Sequence, residues 1–200
     1  SNINKFGGRF KYSKLGQIID NADVSITSNI TRVIIRRNMK VLLNQSAQYE
    51  LCYGNKFYYI DAGFNIKSTG FKIAGSNDIC YFTDTPRDDG TGVISIVKEA
   101  QEEGKNTVVT KSAGTVDYIK GEIIINTVNI TSTVEPNNII EIQAVPESND
   151  VIGLSDLYLD FSVSKSAINM IKDTITSGEQ ISGIGYKTTS SYLNGELKRI

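Results

Sequence analysis

Apolar and polar positions alternate along most of this chain, and the period of the alternation changes twice. Near the start, Leu15, Ile18, Ile19 and Ala22 recur at i, i+3, i+4 and i+7, the spacing that lines one face of a helix. Ser13 stands where an N-cap belongs, and Gly16 weakens the helix interior. The polar stretch "DNADVSITSN" ends it. A period of two then takes over. Residues 30–37 read as a strand with Val33 and Ile35 on one face and Arg32, Ile34 and Arg36 on the other. Further strands are predicted over residues 48–53, 57–60, 70–74 and 78–83, then more regularly over 92–98, 107–111, 115–118, 122–127, 138–145 and 157–161. In the last of these, Leu157, Leu159 and Phe161 alternate with Tyr158 and Asp160, the mark of a half-buried strand. Helical spacing returns over residues 165–176, where Ile168, Ile171 and Ile175 share a side between Ser164 as N-cap and Gly178 as stop.

These elements predict an α+β, β-rich fold: mixed or antiparallel sheets with a helix near each end, in two small subdomains. Residues 1–75 form the α+β subdomain and residues 76–163 a β-rich hairpin or sandwich subdomain. Residues 164–200 carry the second helix and an extended, Gly-, Ser- and Thr-rich tail that a partner would order. Composition reinforces the sheet bias, because the chain has 28 Ile against 9 Leu, and Ile is β-branched. The absence of Met at position 1 and the opening "SNINKFGG" suggest an internal piece of a longer protein.

A formal net charge of −1 provides no global field to attract nucleic acid or an anionic membrane, so neither is expected as a partner. No apolar run approaches the roughly 20 residues of a membrane span. Cys52 and Cys80 both sit in apolar, strand-like runs and read as buried free thiols rather than a bridge.

The stretch "YFTDTPRDDGTGVISIV" (residues 81–97) invites a chemical reading, with three Asp, one Pro and two Gly between strand-like runs. A helix–loop–helix calcium site would set Gly90 at the sixth position, which places Arg87 and Ile96 where oxygen ligands belong. A phosphate loop would open a helix, yet Gly90-Thr91-Gly92 leads into "VISIV", a strand. A strand–turn–strand connection remains, with Pro86 at a turn's first central position. "GTVDYIKGEIII" (residues 114–125) is a shorter hairpin, in which Val116, Tyr118, Ile123 and Ile125 share a face and Asp117 braces the turn. The chain has no His, which removes His-dependent triads and the commonest metal ligand. The adjacent pairs Asp88–Asp89 and Glu102–Glu103 point to opposite faces of a strand, a poor arrangement for paired-carboxylate hydrolysis. No catalytic residue, cofactor, metal or small-molecule substrate is expected. Four basic residues within "TRVIIRRNMK" offer either a charged strand edge or a partner-binding one, and Arg32, Ile34, Arg36, Arg37 and Lys40 are the candidate interface residues.

Several phrases carry a family resemblance. "FGGRFKYSKLGQIIDNADVSITSNITRVIIRRNMK" followed by "QYELCYGNKF" resembles the C-terminal region of a baseplate wedge protein of T4-like contractile-tailed bacteriophages, distantly similar to the baseplate J family. So do "FNIKSTGFKIAG", "CYFTDTPRDDGTGVISI", "GTVDYIKGEIIIN" and "AVPESNDVIGLSDLYLDF". The resemblance implies a non-enzymatic, late, structural virion protein located in the tail baseplate and assembled in the host cytoplasm. It implies a homodimer that binds other wedge proteins in a ring around the hub and rearranges on sheath contraction. The alternative is a receptor- or carbohydrate-binding tail domain, for which the absence of Trp is unfavourable.

Overall fold

The computed structural model describes residues 6–61, 63–99, 106–155 and 159–171, with the backbone alone of 192–193 and 196–197. Its elements in chain order are β1 (Arg9–Phe10), α1 (Tyr12–Asp20), β2 (Ile35–Lys40), β3 (Ser46–Cys52), β4 (Lys67–Ser68), β5 (Phe71–Ile73) and β6 (Cys80–Pro86). They continue with β7 (Thr91–Glu99), β8 (Asn106–Asp117), β9 (Glu122–Thr133), β10 (Ile139–Ala144) and β11 (Val151–Ile152). The short β12 (Tyr192–Leu193) and β13 (Glu196–Leu197) pair with each other.

Strands β5 to β9 form a closed circuit of antiparallel pairings, a five-stranded barrel, because β5 pairs with both β6 and β9. From β6 the sheet continues through β4 and β10 to β2, and β3 lies along β9. Closure removes sheet edges that would otherwise invite pairing with other chains. One continuous cluster fills the interior. Ile94 and Ile96 from β7, Val116 from β8, and Ile123, Ile125 and Ile130 from β9 meet Phe71 and Phe82, whose ring centroids lie 4.4 Å apart. Met39, Leu51, Tyr53, Ile140 and Ile142 extend this core under the flanking strands.

The two hairpins expected from the sequence are present. The β6–β7 turn closes through Arg87 N–H donating to Thr91 O, while Asp89 accepts from the Thr91 amide and hydroxyl, and Gly90 takes a left-handed φ of 78°. In the β8–β9 turn, Asp117 accepts from the amides of Ile119 and Lys120. Asp88 and Asp89 are exposed turn residues.

The fold class departs from expectation. The molecule is dominated by strands, and α1 is the one α-helix among the described residues, so there is no helix near each end. Residues 163–165 form a single 3-10 turn, and 166–171 carry no regular structure. Ile168 and Ile171 are exposed there, and a short helix without a buried face is marginal in water. The rest of that predicted helix lies outside the described residues. Strands from both sides of residue 75 take part in one hydrogen-bonded sheet. Local shifts also occur. The expected strand over 30–37 is β2, five residues later in its start; 57–60 contributes only a bridge from Phe57 to Pro146; and 107–111 and 115–118 merge into β8.

Asp84 at the end of β6 is buried at 2% exposure, with no ion pair among the described residues. One carboxylate oxygen accepts from the Ile66 amide at 2.7 Å and the other from the Tyr118 hydroxyl at 2.6 Å. Burial raises its pKa above the ordinary carboxylate value, against the opposing effect of these hydrogen bonds. The Tyr118 hydroxyl is also pushed up, by burial and then by its bond to Asp84, so the proton stays on the tyrosine. A carboxyl raised in the folded state binds protons that the unfolded chain releases, so its contribution to stability declines as pH rises from the ordinary carboxylate range through the raised value. Asp84→Asn keeps the acceptor for Ile66 and can donate to the Tyr118 oxygen. Urea unfolding at a series of pH values should show a flatter dependence in Asp84→Asn than in the natural chain; parallel curves would contradict this assignment.

Candidate interaction surface

The chain before the barrel is an arm, residues 6–34, tied down at two places. At one end, β1 pairs with β11, and Gly7 N–H donates to Leu154 O while Gly153 N–H donates to Gly8 O. At the other end the arm runs into β2. Between them lies α1, whose first N–H, from Tyr12, donates to the carboxylate of Asp150 at 2.8 Å. That carboxylate sits at the positive end of the helix dipole and satisfies one of its orphan donors. The sequence suggested Ser13 as the cap, but the helix begins one residue earlier, and a residue 138 positions away does the capping.

The helix is amphipathic but buries nothing: Ile18 is 60% exposed, and Leu15 and Ile19 are only half-buried. Beyond it, Asp23 braces a turn by accepting from the Ser25 amide and hydroxyl, which lowers its pKa. Val24 and Ile30 then stand fully in solvent. A run of this kind, apolar on residues that touch no core, marks a surface that meets something else.

β2 does not present the five candidate residues on one face. It pairs with β10 alone, so it ends that side of the sheet among the described residues. Arg36, Asn38 and Lys40 share the outer face, whereas Ile35, Arg37 and Met39 turn inward. Arg32 and Ile34 are exposed or half-buried in the irregular segment before the strand, Ile34 at 48% exposure. Arg36 reaches Glu141 at 3.3 Å, and Lys165 joins the same carboxylate at 3.2 Å and Glu135 at 3.3 Å. Those two glutamates, Glu141 first, raise the pKa of Lys165 and tie residues 163–165 to the sheet. Arg37 turns to β3, where its guanidinium donates to the carbonyl of Cys52. With the Leu42 amide donating to Tyr49 Oη at 3.0 Å, this closes the seam between β2 and β3 by side chains instead of a ladder.

The sequence held no signal for one further cluster. Cross-strand pairing sets Cys52 opposite Glu122, with Glu50 two residues along, and their ligand atoms lie within 4.8 Å of one another. The Cys52 thiol donates to both carboxylates; burial first, and then these bonds, raise its pKa and keep it protonated. Cys80 is buried, and both cysteines are free thiols.

Residues 1–38 match the family described as baseplate structural protein gp6, C-terminal domain III. No curated protein matches the chain. The match supports a structural role in a tail baseplate, and it falls on the arm and the start of β2 rather than on the barrel. The segment that carries the family signal is therefore one that exposes apolar side chains, among them Ile18, Val24 and Ile30.

Loss of the Asp150 cap should act locally, because α1 contributes nothing to the core. Asp150→Ala is expected to lower hydrogen-exchange protection of the α1 amides about fivefold, the effect of one lost cap. Barrel amides such as those of Ile94 and Ile123 should keep their protection.

Proposed function

We propose that this chain is a structural module of a phage tail baseplate wedge that self-associates and binds other wedge proteins, building the ring around the hub and passing on its rearrangement when the sheath contracts. It has no catalytic role, works in the virion, and is assembled in the host cytoplasm. The observation that carries this reading is the coincidence of the gp6 domain match with an arm whose Ile18, Val24 and Ile30 are exposed. Arg32 and Ile34 at the end of that arm, and Arg36, Arg37 and Lys40 in the strand that follows it, belong to the contact, with Ile34 as its apolar anchor. In this role Arg32, Ile34 and Lys40 meet the partner directly. Arg36 and Arg37 act more through the sheet, by holding Glu141 and Cys52 O.

Light scattering coupled to size-exclusion chromatography over a wide concentration range tests the reading, against a monomer mass of 22.0 kDa. The chain should reach dimer mass; a strict monomer would overturn self-association. Arg32→Glu combined with Ile34→Ser alters two residues outside the core, so far-UV circular dichroism and melting should stay unchanged. Self-association should weaken about tenfold or more, the effect of losing an interface anchor. Unaltered association would remove these residues from the contact.

A further inference from the structure

Phe64 holds a backbone conformation that its side chain disfavours. It takes a left-handed φ of 67°. The other non-glycine residues with positive φ among the described residues, Asn44, Asn137 and Asn138, are all asparagine, which tolerates that region. The neighbours of Phe64 leave it no choice. Gly63, also left-handed, packs so closely on Asp84 O that a Cβ there would lie 2.6 Å from it. The Phe64 amide donates to the same carbonyl at 3.3 Å. Asn65 is buried, donates to Tyr58 O and Val145 O, and accepts from the Val145 amide at 2.8 Å, while Asp84 holds the Ile66 amide. Strain held by so many ties recurs at functional sites. Asn or Gly would meet the same backbone demand at less cost. The Phe64 ring gives little back to the core, because the residue is 54% exposed. Its use lies outside the chain.

Other exposed side chains share that end of the barrel. Gly63 abuts Pro86, and the next residue, Arg87, accepts at its carbonyl from the exposed Tyr59 hydroxyl at 3.0 Å. Ile119, also exposed, lies over Gly90 in the same β6–β7 turn. Burial first, and then the charges of Asp61, Asp88 and Asp89, push the Tyr59 hydroxyl above its ordinary value, which sets the three carboxylates around it. Asp61 and Asp88 are exposed and make no ion pair among the described residues. A rigidly presented aromatic ring beside free carboxylates suits a partner that brings an apolar side chain and cations. It repels an anionic membrane or a nucleic acid.

The arm has that chemistry. Residues 9–40 contain seven Lys or Arg against Asp20 and Asp23. Lys11, Lys14 and Ile18, at i, i+3 and i+7, lie on one face of α1 and its N-cap, and all three are exposed. Neither lysine makes an ion pair among the described residues. Residues 55–59 run from the foot of the arm to this end of the barrel. Asn55 donates to Ile152 O in β11, the Phe57 amide donates to Tyr118 O, and Tyr59 packs on Tyr118. With the two surfaces that close along the chain, one twofold axis can join each to its counterpart on a second copy.

We infer that Phe64 anchors a docking site for the arm of a second copy of this chain, with Phe64 and Ile119 against Ile18, and Asp61 and Asp88 against Lys11 and Lys14, reciprocally about a twofold axis. The inference rests on the self-association proposed above and names the surface that receives the arm.

Sedimentation equilibrium of the full chain tests it. Phe64→Asn relieves the backbone, so the melting temperature should hold or rise, yet the dimer Kd should increase about tenfold or more. Ile18→Ser, on a helix that buries nothing, should weaken the dimer similarly. An equimolar mixture of the two variants keeps one intact junction of the two, so it should associate more tightly than either variant alone. Raising the salt from about 50 to about 500 mM should weaken the natural dimer, and Asp61→Asn with Asp88→Asn should flatten that dependence. A natural chain that stays monomeric throughout would remove the self-association reading and this inference with it. If the natural chain dimerises, the docking site alone is overturned by any of three results. These are a Phe64→Asn chain that dimerises as the natural one does, a mixture that associates no better than its components, and a melting temperature lowered by Phe64→Asn, which would place the ring's role within the chain.

Discussion

One strand must serve three partners, and the architecture follows from that demand. β9 is lined by Ile123, Ile125 and Ile130, all fully buried, and its N–H and C=O groups need partners on both edges. Successive carbonyls show how the edges are divided: Asn129 O accepts from Ala74 beyond β5, and Ile130 O accepts from Asn44 before β3. β3 therefore takes one edge, while β8 and β5 share the other in succession. A shared edge needs a gap between the two sharers. Bulges in β8 and β9 provide it, and a slot in the wall is the space left over.

A second tie closes the barrel at its other end. Asp84, buried and raised in pKa, joins the Ile66 amide to the Tyr118 hydroxyl, and so joins β6, the segment before β4 and the β8–β9 turn. Tyr59 packs edge-on against Tyr118 with centroids 5.5 Å apart, and donates to Arg87 O in the β6–β7 turn. Satisfied polar groups of this kind fix one arrangement of the loops among several that burial alone would allow.

The arm is built differently. It hangs from the β1–β11 ribbon and the Asp150 cap, and its apolar side chains face solvent instead of the Ile-rich core. In the proposed role the barrel would hold position while the arm gained buried area from a neighbour. The baseplate domain match on that arm points the same way.

The sequence by itself determined whatever depends on near neighbours. The β6–β7 and β8–β9 hairpins, the turn roles of Asp89 and Asp117, the helical period of α1 and the shared inward face of Val116, Ile123 and Ile125 were all legible, because turn chemistry and side-chain alternation act within a few residues. Tertiary structure decided the rest. Asp84 looked like one more polar position beside a turn; only the approach of Ile66 and Tyr118 makes it a buried tie. Cys52 meets Glu122, and Arg37 turns inward to β3 while Arg36 stays outside, through pairings between residues up to 105 positions apart. The second helix was misread because period marks a face but not whether anything lies against it. Which strands pair, and where a ladder breaks, is set by the competition of distant segments for the same edge, and no local pattern records that competition.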